Sequence, residues 1–522
     1  MHIDLVRHRH RRCPGGPGGA GGRPISRRAI QLTMGIFGQL PQNQWSGRLT
    51  LASSREFCMH RLRVWCAATG LALGALALPA TASAQGFGVY EHSACAMGRA
   101  GATVADPCLD GSSMFFNPAG IAHLENKVVN AGVMIIAGGG SFTHQETLER
   151  DDMRRTPIPV PTFYLAIPLK NRLAIGLGVF APYGLETEWD ETAQGRFLGY
   201  NSKIAAIYIQ PTVAYKVNDW LSIGGGVDFN IVSVELKQHL DLSEQIVPGT
   251  TTTFATFGLP NRTDFADVQL HGSGTTIGYN LGIMAKATDW ISFGVRYLSR
   301  QKATLDGGEV KITQIETGLF LPADLPLPGG TVPTGTPVDA LVAPLFADGG
   351  TLSDQGASTV LRFPEQLVLG TALQVSPQIK LLVDYQYTNW TVFETLPIEF
   401  ERIGTVILQE NFVATHGLRL GGEYAFSGDT QLRLGFLTHG AAAPAETVTP
   451  NLPEGPRSEV TIGFGTRITK GLRFDFAYQY IDQADRRGRS TDGGSDTPTA
   501  GVNDGLYTSN AHLFGLSLIY NF

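Results

Sequence analysis

The sequence predicts an all-β protein, an antiparallel transmembrane β-barrel of about fourteen strands, and three observations lead there. An export signal precedes most of the chain, segment after segment alternates apolar with polar or small residues, and the chain ends on an aromatic, Phe522. Alternation at period two gives a strand two unlike faces. In hydrocarbon no backbone N–H or C=O can stay unpaired, so spanning strands must close on themselves. Composition agrees, since 63 glycines, 9% aromatic and only 16% charged residues suit many strands with tight turns better than a helical enzyme.

The export signal occupies residues 59–84. Arg61 and Arg63 precede an apolar run over residues 64–78, and Pro79 leads to the small-residue site Ala82-Ser83-Ala84. The run is shorter than the ~20 residues a spanning helix needs, so a cleaved signal is expected rather than an anchor, with Gln85 as the first mature residue. Residues 1–58, rich in Arg, His, Gly and Pro without periodicity, read as a disordered, non-native upstream extension, with Met59 the expected start. Without residues 1–84 the chain keeps 29 basic against 44 acidic residues, a net charge of −15. A surface so acidic repels phosphate backbones, which excludes nucleic acid as a partner. Of five cysteines only Cys95 and Cys108 remain in an oxidising compartment, a candidate disulfide. A metal site would need more ligands than the nearby His92 and His123 offer, and none is expected.

From residue 126 to 522 the segments are strand-like. The last is clearest, with Phe514, Leu516, Leu518, Tyr520 and Phe522 on one face and Gly515, Ser517 and Asn521 on the other. An even count near fourteen suits a closed bacterial barrel. In a soluble sandwich the same stripes would face a core, but the signal, the strand number and the terminal aromatic favour the membrane. Arg296, Asp384, Arg419, Glu423, Arg433 and Asp475 fall opposite the apolar stripe and should face the lumen. Short turns, such as those at Asn171 and Ser427-Gly428-Asp429, alternate with long connections at 239–273 and 306–356, expected to be extracellular.

Residues 86–124 read GFGVYEHSACAMGRAGATVADPCLDGSSMFFNPAGIAHL. An aromatic at Phe87, the Met97-Gly98-Arg99-Ala100 turn and the triplet Asn117-Pro118-Ala119 resemble the N-terminal hatch of the FadL/TodX family of outer-membrane transporters of long-chain fatty acids and aromatic hydrocarbons. Residues 183–189 look like the family's loop after the third strand, Pro364-Glu365-Gln366 opens a strand as it does there, and Tyr387-Thr388-Asn389-Trp390 is also similar. The resemblance implies a hatch at residues 85–125 plugging a barrel at 126–522, with Asn117 anchored to the wall and Arg99 paired with a wall carboxylate. It implies passive transport of a hydrophobic ligand, with sideways exit at a kink in the third strand, here Phe180-Ala181-Pro182. A proline interrupts ladder bonding, though it could equally mark the entry to the next loop.

The ligand's polar end is less legible. The fifth strand, with Asn230-Ile231-Val232-Ser233-Val234, offers no cation. Arg296, Arg362 and Arg419 are the candidates for binding a carboxylate, so fatty acid and neutral hydrocarbon both stay open. Leu319, Phe320, Leu341, Leu345 and Phe346 in the second long connection are candidates for the first ligand groove, unless they pack on one another as a lid.

No GxSxG, HExxH or phosphate loop occurs. An outer-membrane barrel enzyme, lipase-like and needing a Ser/His/acid set, is the alternative from another class, and a polar-solute porin the alternative within channels. No enzyme activity and no cofactor are expected. The expected partners are the hydrophobic ligand, outer-membrane lipids and, through Phe522, the barrel-assembly machinery, with the protein acting as a monomer in the outer membrane of a Gram-negative cell.

Overall fold

The computed structural model describes residues 86–170, 172–247, 250–327, 329–426, 428–488 and 503–522. The expected signal, upstream extension and Gln85, and the turn residues Asn171 and Ser427, lie outside them. Among these residues fourteen long antiparallel strands form one sheet, to which the short strands Arg150–Asp152, Thr395–Phe400 and Gly404–Gln409 add: β1 (Val128–His144), β2 (Ile158–Pro168), β3 (Leu173–Glu188), β4 (Asn201–Lys216), β5 (Leu221–Leu240), β6 (Ala266–Lys286) and β7 (Ile291–Leu298, resuming as Gln301–Gln314). The rest are β8 (Gln355–Phe363, resuming as Gln366–Gln374), β9 (Ile379–Thr388), β10 (Thr415–Ala425), β11 (Thr430–His439), β12 (Arg457–Arg467), β13 (Leu472–Gly488) and β14 (Gly505–Asn521). The sheet closes where β1 pairs with β14, from Val128 opposite Asn521 to His144 opposite Gly505. Closure leaves no free edge there, as hydrocarbon requires.

No helix among the described residues is long and apolar enough to cross a membrane, and the strands do the crossing. Their outer face carries exposed apolar side chains, among them Ile231, Ile277, Leu281, Leu516 and Leu518, while Arg296, Asp384, Arg419, Arg433 and Asp475 are buried in the interior. Strand parity thus sorts lipid-facing from lumen-facing residues.

The long connections are shorter than the sequence suggests. β5 continues to Leu240, β6 starts at Ala266 and β7 runs to Gln314, so the loops span 241–265 and 315–354. The residues at their ends pair with neighbouring strands, and pairing carried the ladder past the point where side-chain alternation fades. Residues 183–188 likewise belong to β3 and not to a loop.

Inside the barrel lies the N-terminal segment, with α1 (Ala94–Met97), α2 (Ser113–Phe116) and a 3-10 turn over Pro118–His123. The Asn117 side chain accepts from the Ala119 N–H at the start of that turn, where Pro118 has no N–H in need of an acceptor. Cys95 and Cys108 are joined as a disulfide. The segment docks against glycines of the wall. A Cβ on Gly224 would lie 2.5 Å from the Ala119 nitrogen, and one on Gly282 would collide with Asn117 Oδ1 and Pro118. Glycine is needed at both because only a bare backbone lets the plug come this close.

Candidate functional site

The third strand holds the site. β2 and β3 pair only from Pro168 opposite Ala174 up to Phe163 opposite Val179. Above that level β2 stays with β1, and β3 stays with β4 through a bulge in which Ala181 and Pro182 oppose Ile207 alone. β3 continues past Pro182 to Glu188, so the proline sits within the strand. A bulge bends and twists its strand away from its neighbour.

The β2 sequence explains why the gap persists. Pro157, just before the strand, and Pro159 and Pro161 within it occupy alternate positions, and alternate residues of a strand present their N–H groups to the same side. Since β2 remains laddered to β1 across Pro159 and Pro161, its remaining donors serve β1. The edge facing β3 is the one stripped of N–H groups.

The freed edge of β3 is taken by the hatch. The Val89 N–H donates to the Pro182 carbonyl and the Gly184 N–H to the Phe87 carbonyl, each at 2.9 Å. Phe87 is held in an aromatic cage, with ring centroids 4.7 Å from Trp390, 5.5 Å from Phe393 and 6.2 Å from Tyr183. A cavity of about 610 Å³ opens at the gap, lined by Phe87, Ile136, Val160, Leu185, Ile204 and Leu513 among other apolar groups.

Its polar wall lies across the lumen, where Glu91, Glu454, Arg457 and Glu459 also line it. The Gln479 amide donates to both Glu91 and Glu459, and Glu459 meets His439 Nε2 at 3.1 Å. Burial, then the neighbouring Glu459, raises the Glu91 carboxyl above its ordinary range. Burial also raises Glu454, although the N–H groups of Gly86, Ala442 and Ala443 donate to it. His92, packed 4.2 Å from the Phe115 ring, is pushed down to about 3, chiefly by burial and then by Arg296.

The expected hatch anchors are met by groups of the wall, a carboxylate for Arg99 and a backbone carbonyl for Asn117. Arg99 donates to Glu423, which also accepts from Arg433 Nε at 2.9 Å, and Arg433 reaches Asp475 at 3.2 Å. Asn117 Nδ2 donates to the Ile283 carbonyl of β6 at 3.0 Å and to Val104 within the hatch at 2.7 Å. Pro118 and Ala119 are buried against the wall. Phe180 packs 5.3 Å from Phe115 and 6.0 Å from Tyr208, just inside the gap.

The three basic candidates divide. Arg296 stacks 4.2 Å over Phe115 and donates to Asn280 and Gln366, and Arg419 stacks 4.3 Å over Tyr90. Both are lumenal but serve the hatch interface and do not line the cavity. Arg362 is corrected: it lies on the outer face, alternating with the buried Leu361 and Phe363, and cannot reach a lumenal carboxylate. Among the described residues three cations line the cavity: Arg154 and Lys203, paired with Glu188 and Glu186 at 3.0 and 3.4 Å, and Arg457, whose signal was parity, since it shares a β12 face with Glu459 and Thr461 opposite the exposed Val460 and Ile462.

In the loop over residues 315–354, Leu319, Leu341, Leu345 and Phe346 are half-buried against a cluster containing Phe254, Phe265, Leu321, Val338 and Val342, while Phe320 is exposed. The arrangement is a packed lid, and none of the five lines the lateral cavity.

A gapped third strand, a hatch strand on its edge and a closed barrel of fourteen strands make one architecture, and over residues 75–522 the sequence matches the family model described as outer membrane protein transport protein (OMPP1/FadL/TodX). The chain belongs to that family. It is 22% identical over 463 residues to a long-chain fatty acid transport protein of Salmonella typhi, covering 87% of this chain and 98% of the relative. It is also 22% identical to outer membrane protein P1 of Haemophilus influenzae, with the same two coverages. Among solved structures, a Pseudomonas aeruginosa FadL homologue superposes with a TM-score of 0.70 at 22% identity, covering 84% of this chain and 100% of its own. The P. putida toluene transporter TodX gives 0.61 at 16% identity, covering 84% and 99%. The protein is thus an outer-membrane transport barrel.

Proposed function

We propose that this barrel passively carries hydrophobic molecules, long-chain fatty acids or hydrocarbons, and releases them sideways between β2 and β3. The observation that carries the reading is the unladdered gap between these strands, with an apolar cavity of about 610 Å³ behind it. A greasy molecule gains roughly 25 cal/mol per Å² of apolar surface removed from water, which a cavity continuous with the hydrocarbon supplies at every stage. Relatives named for fatty acids and a neighbour named for toluene support both ligand classes.

No catalytic role is proposed. His439 Nε2 is occupied by Glu459 and its Nδ1 has no hydrogen-bond partner among the described residues, so no serine is poised on it. A polar-solute pore is disfavoured because the hatch fills the lumen with buried residues.

Replacing Ile136 and Val160 by Trp narrows the cavity from two strands. Uptake of radiolabelled oleate or toluene at low concentration should fall at least fivefold in cells with normal amounts of folded barrel. Unchanged uptake of both would remove the gap from the route.

A further inference from the structure

On the outer surface of the barrel, Lys302 of β7 and Arg362 of β8 stand directly opposite each other. Their neighbours Gln301, Ala303, Leu361 and Phe363 are buried, so both cations point away from the lumen. Like charges facing each other across a ladder repel. The local acid does not relieve them: Glu365 is held by Arg300 at 2.7 and 3.1 Å and accepts from Asn389 at 2.7 Å. Neither Lys302 nor Arg362 has an ion pair with another described residue. The next acids, Glu399 opposite Ser358 of β8 and Asp306 of β7, each lie four residues farther out than Arg362 and Lys302 respectively. At ~3.3 Å per residue that is roughly 13 Å, beyond the screening length of about 8 Å in physiological salt.

Their height is informative. Trp290 in the turn before β7 and the outward Phe293, Val295 and Tyr297 mark the apolar band on this strand, and Arg300 and Lys302 follow above it. From Ile291 to Lys302, a rise of ~3.3 Å per residue at a tilt of about 40° lifts the chain roughly 28 Å, just past a band about 25 Å tall. The cations therefore stand at the level of the outer-leaflet headgroups. The chain is net negative, −6 overall, so attraction for an anion here is local to the patch and not a property of the whole surface.

We propose that Lys302 and Arg362 hold a phosphate of a lipid headgroup in the outer leaflet. Two bases placed across one ladder can share a phosphate's oxygens, and the anion replaces their mutual repulsion by charge-assisted hydrogen bonds. The site lies outside the lumen and does not depend on what the barrel transports.

The full chain in phosphatidylcholine nanodiscs, titrated with bis-phosphorylated lipid A, tests this by native mass spectrometry. Binding should weaken at least tenfold for dephosphorylated lipid A, and at least tenfold for the Lys302→Gln/Arg362→Gln double variant. Arg362→Lys, which keeps the charge, should stay within threefold of the parent. Equal binding of the dephosphorylated lipid, equal binding by a folded double variant, or full displacement by millimolar inorganic phosphate would each overturn the proposal. If the double variant does not fold, the two lipids on the unaltered chain decide alone.

Discussion

Replacing Phe87 by alanine should release the first residues of the hatch from β3 while leaving the barrel closed. Phe87 is 3% exposed and caged by Trp390, Phe393, Phe363 and Tyr183. Truncating a buried Phe costs ~3–5 kcal/mol, and edge-to-face partners such as Trp390 contribute within that figure. The backbone bonds from the Val89 N–H to Pro182 and from the Gly184 N–H to Phe87 would be lost together with the cage. At about 1.4 kcal/mol per decade, the opening equilibrium of this strand should shift by roughly 10² to 4 × 10³. The fourteen-strand ladder does not include Phe87, so global stability should change far less. Hydrogen exchange of the Val89 and Gly184 amides reads the opening directly, with amides of the β13–β14 ladder as internal reference. If both amides kept parental protection in the Phe87→Ala protein, the cage would not be what holds the hatch on β3, and the account of the closed gap would fail.

Two further outcomes follow from the hatch interface. Gly282→Ala should displace the Asn117 turn, because the new methyl collides with Asn117 Oδ1 and Pro118, and limited proteolysis should cut the hatch faster while the folded band persists. His92, buried neutral with its pKa depressed to about 3, contributes stability that is complete above its ordinary value of 6.5 and is lost as pH falls from there towards 3. The raised Glu91 has the opposite sense, its contribution being complete below 4.5 and lost as pH rises through its folded value. Hatch protection measured from pH 7 to 4 should therefore fall more steeply in the parent than in His92→Phe, and identical profiles would contradict the assignment.

Local pattern made the barrel legible. The outward stripe Phe514, Leu516, Leu518 and Tyr520 alternates along β14, and parity of that kind survives any tertiary arrangement that puts one face in lipid. Asn117 and Arg99 were legible through the hatch motif, and the structure adds their partners, Ile283 and Glu423. Arg362 was misread because its charge suggested a lumenal role while its parity, two residues before the Pro364-Glu365 break in β8, sends it outward. Arg457 went unseen because it stands at the very start of β12, where alternation has barely begun.

By itself the sequence determined that most strands carry one lipid-facing and one lumenal face, and hence a closed membrane barrel of about fourteen strands with a plug. It also contained the three alternate prolines at the entry to β2. Only the tertiary structure decided that the prolines border β3 where β3 bulges, that Phe87–Val89 fills the edge so exposed, and that Arg457 looks across the lumen at the opening. The physical reason is that alternation is a property of one strand, whereas a missing ladder depends on which two strands meet and in what register.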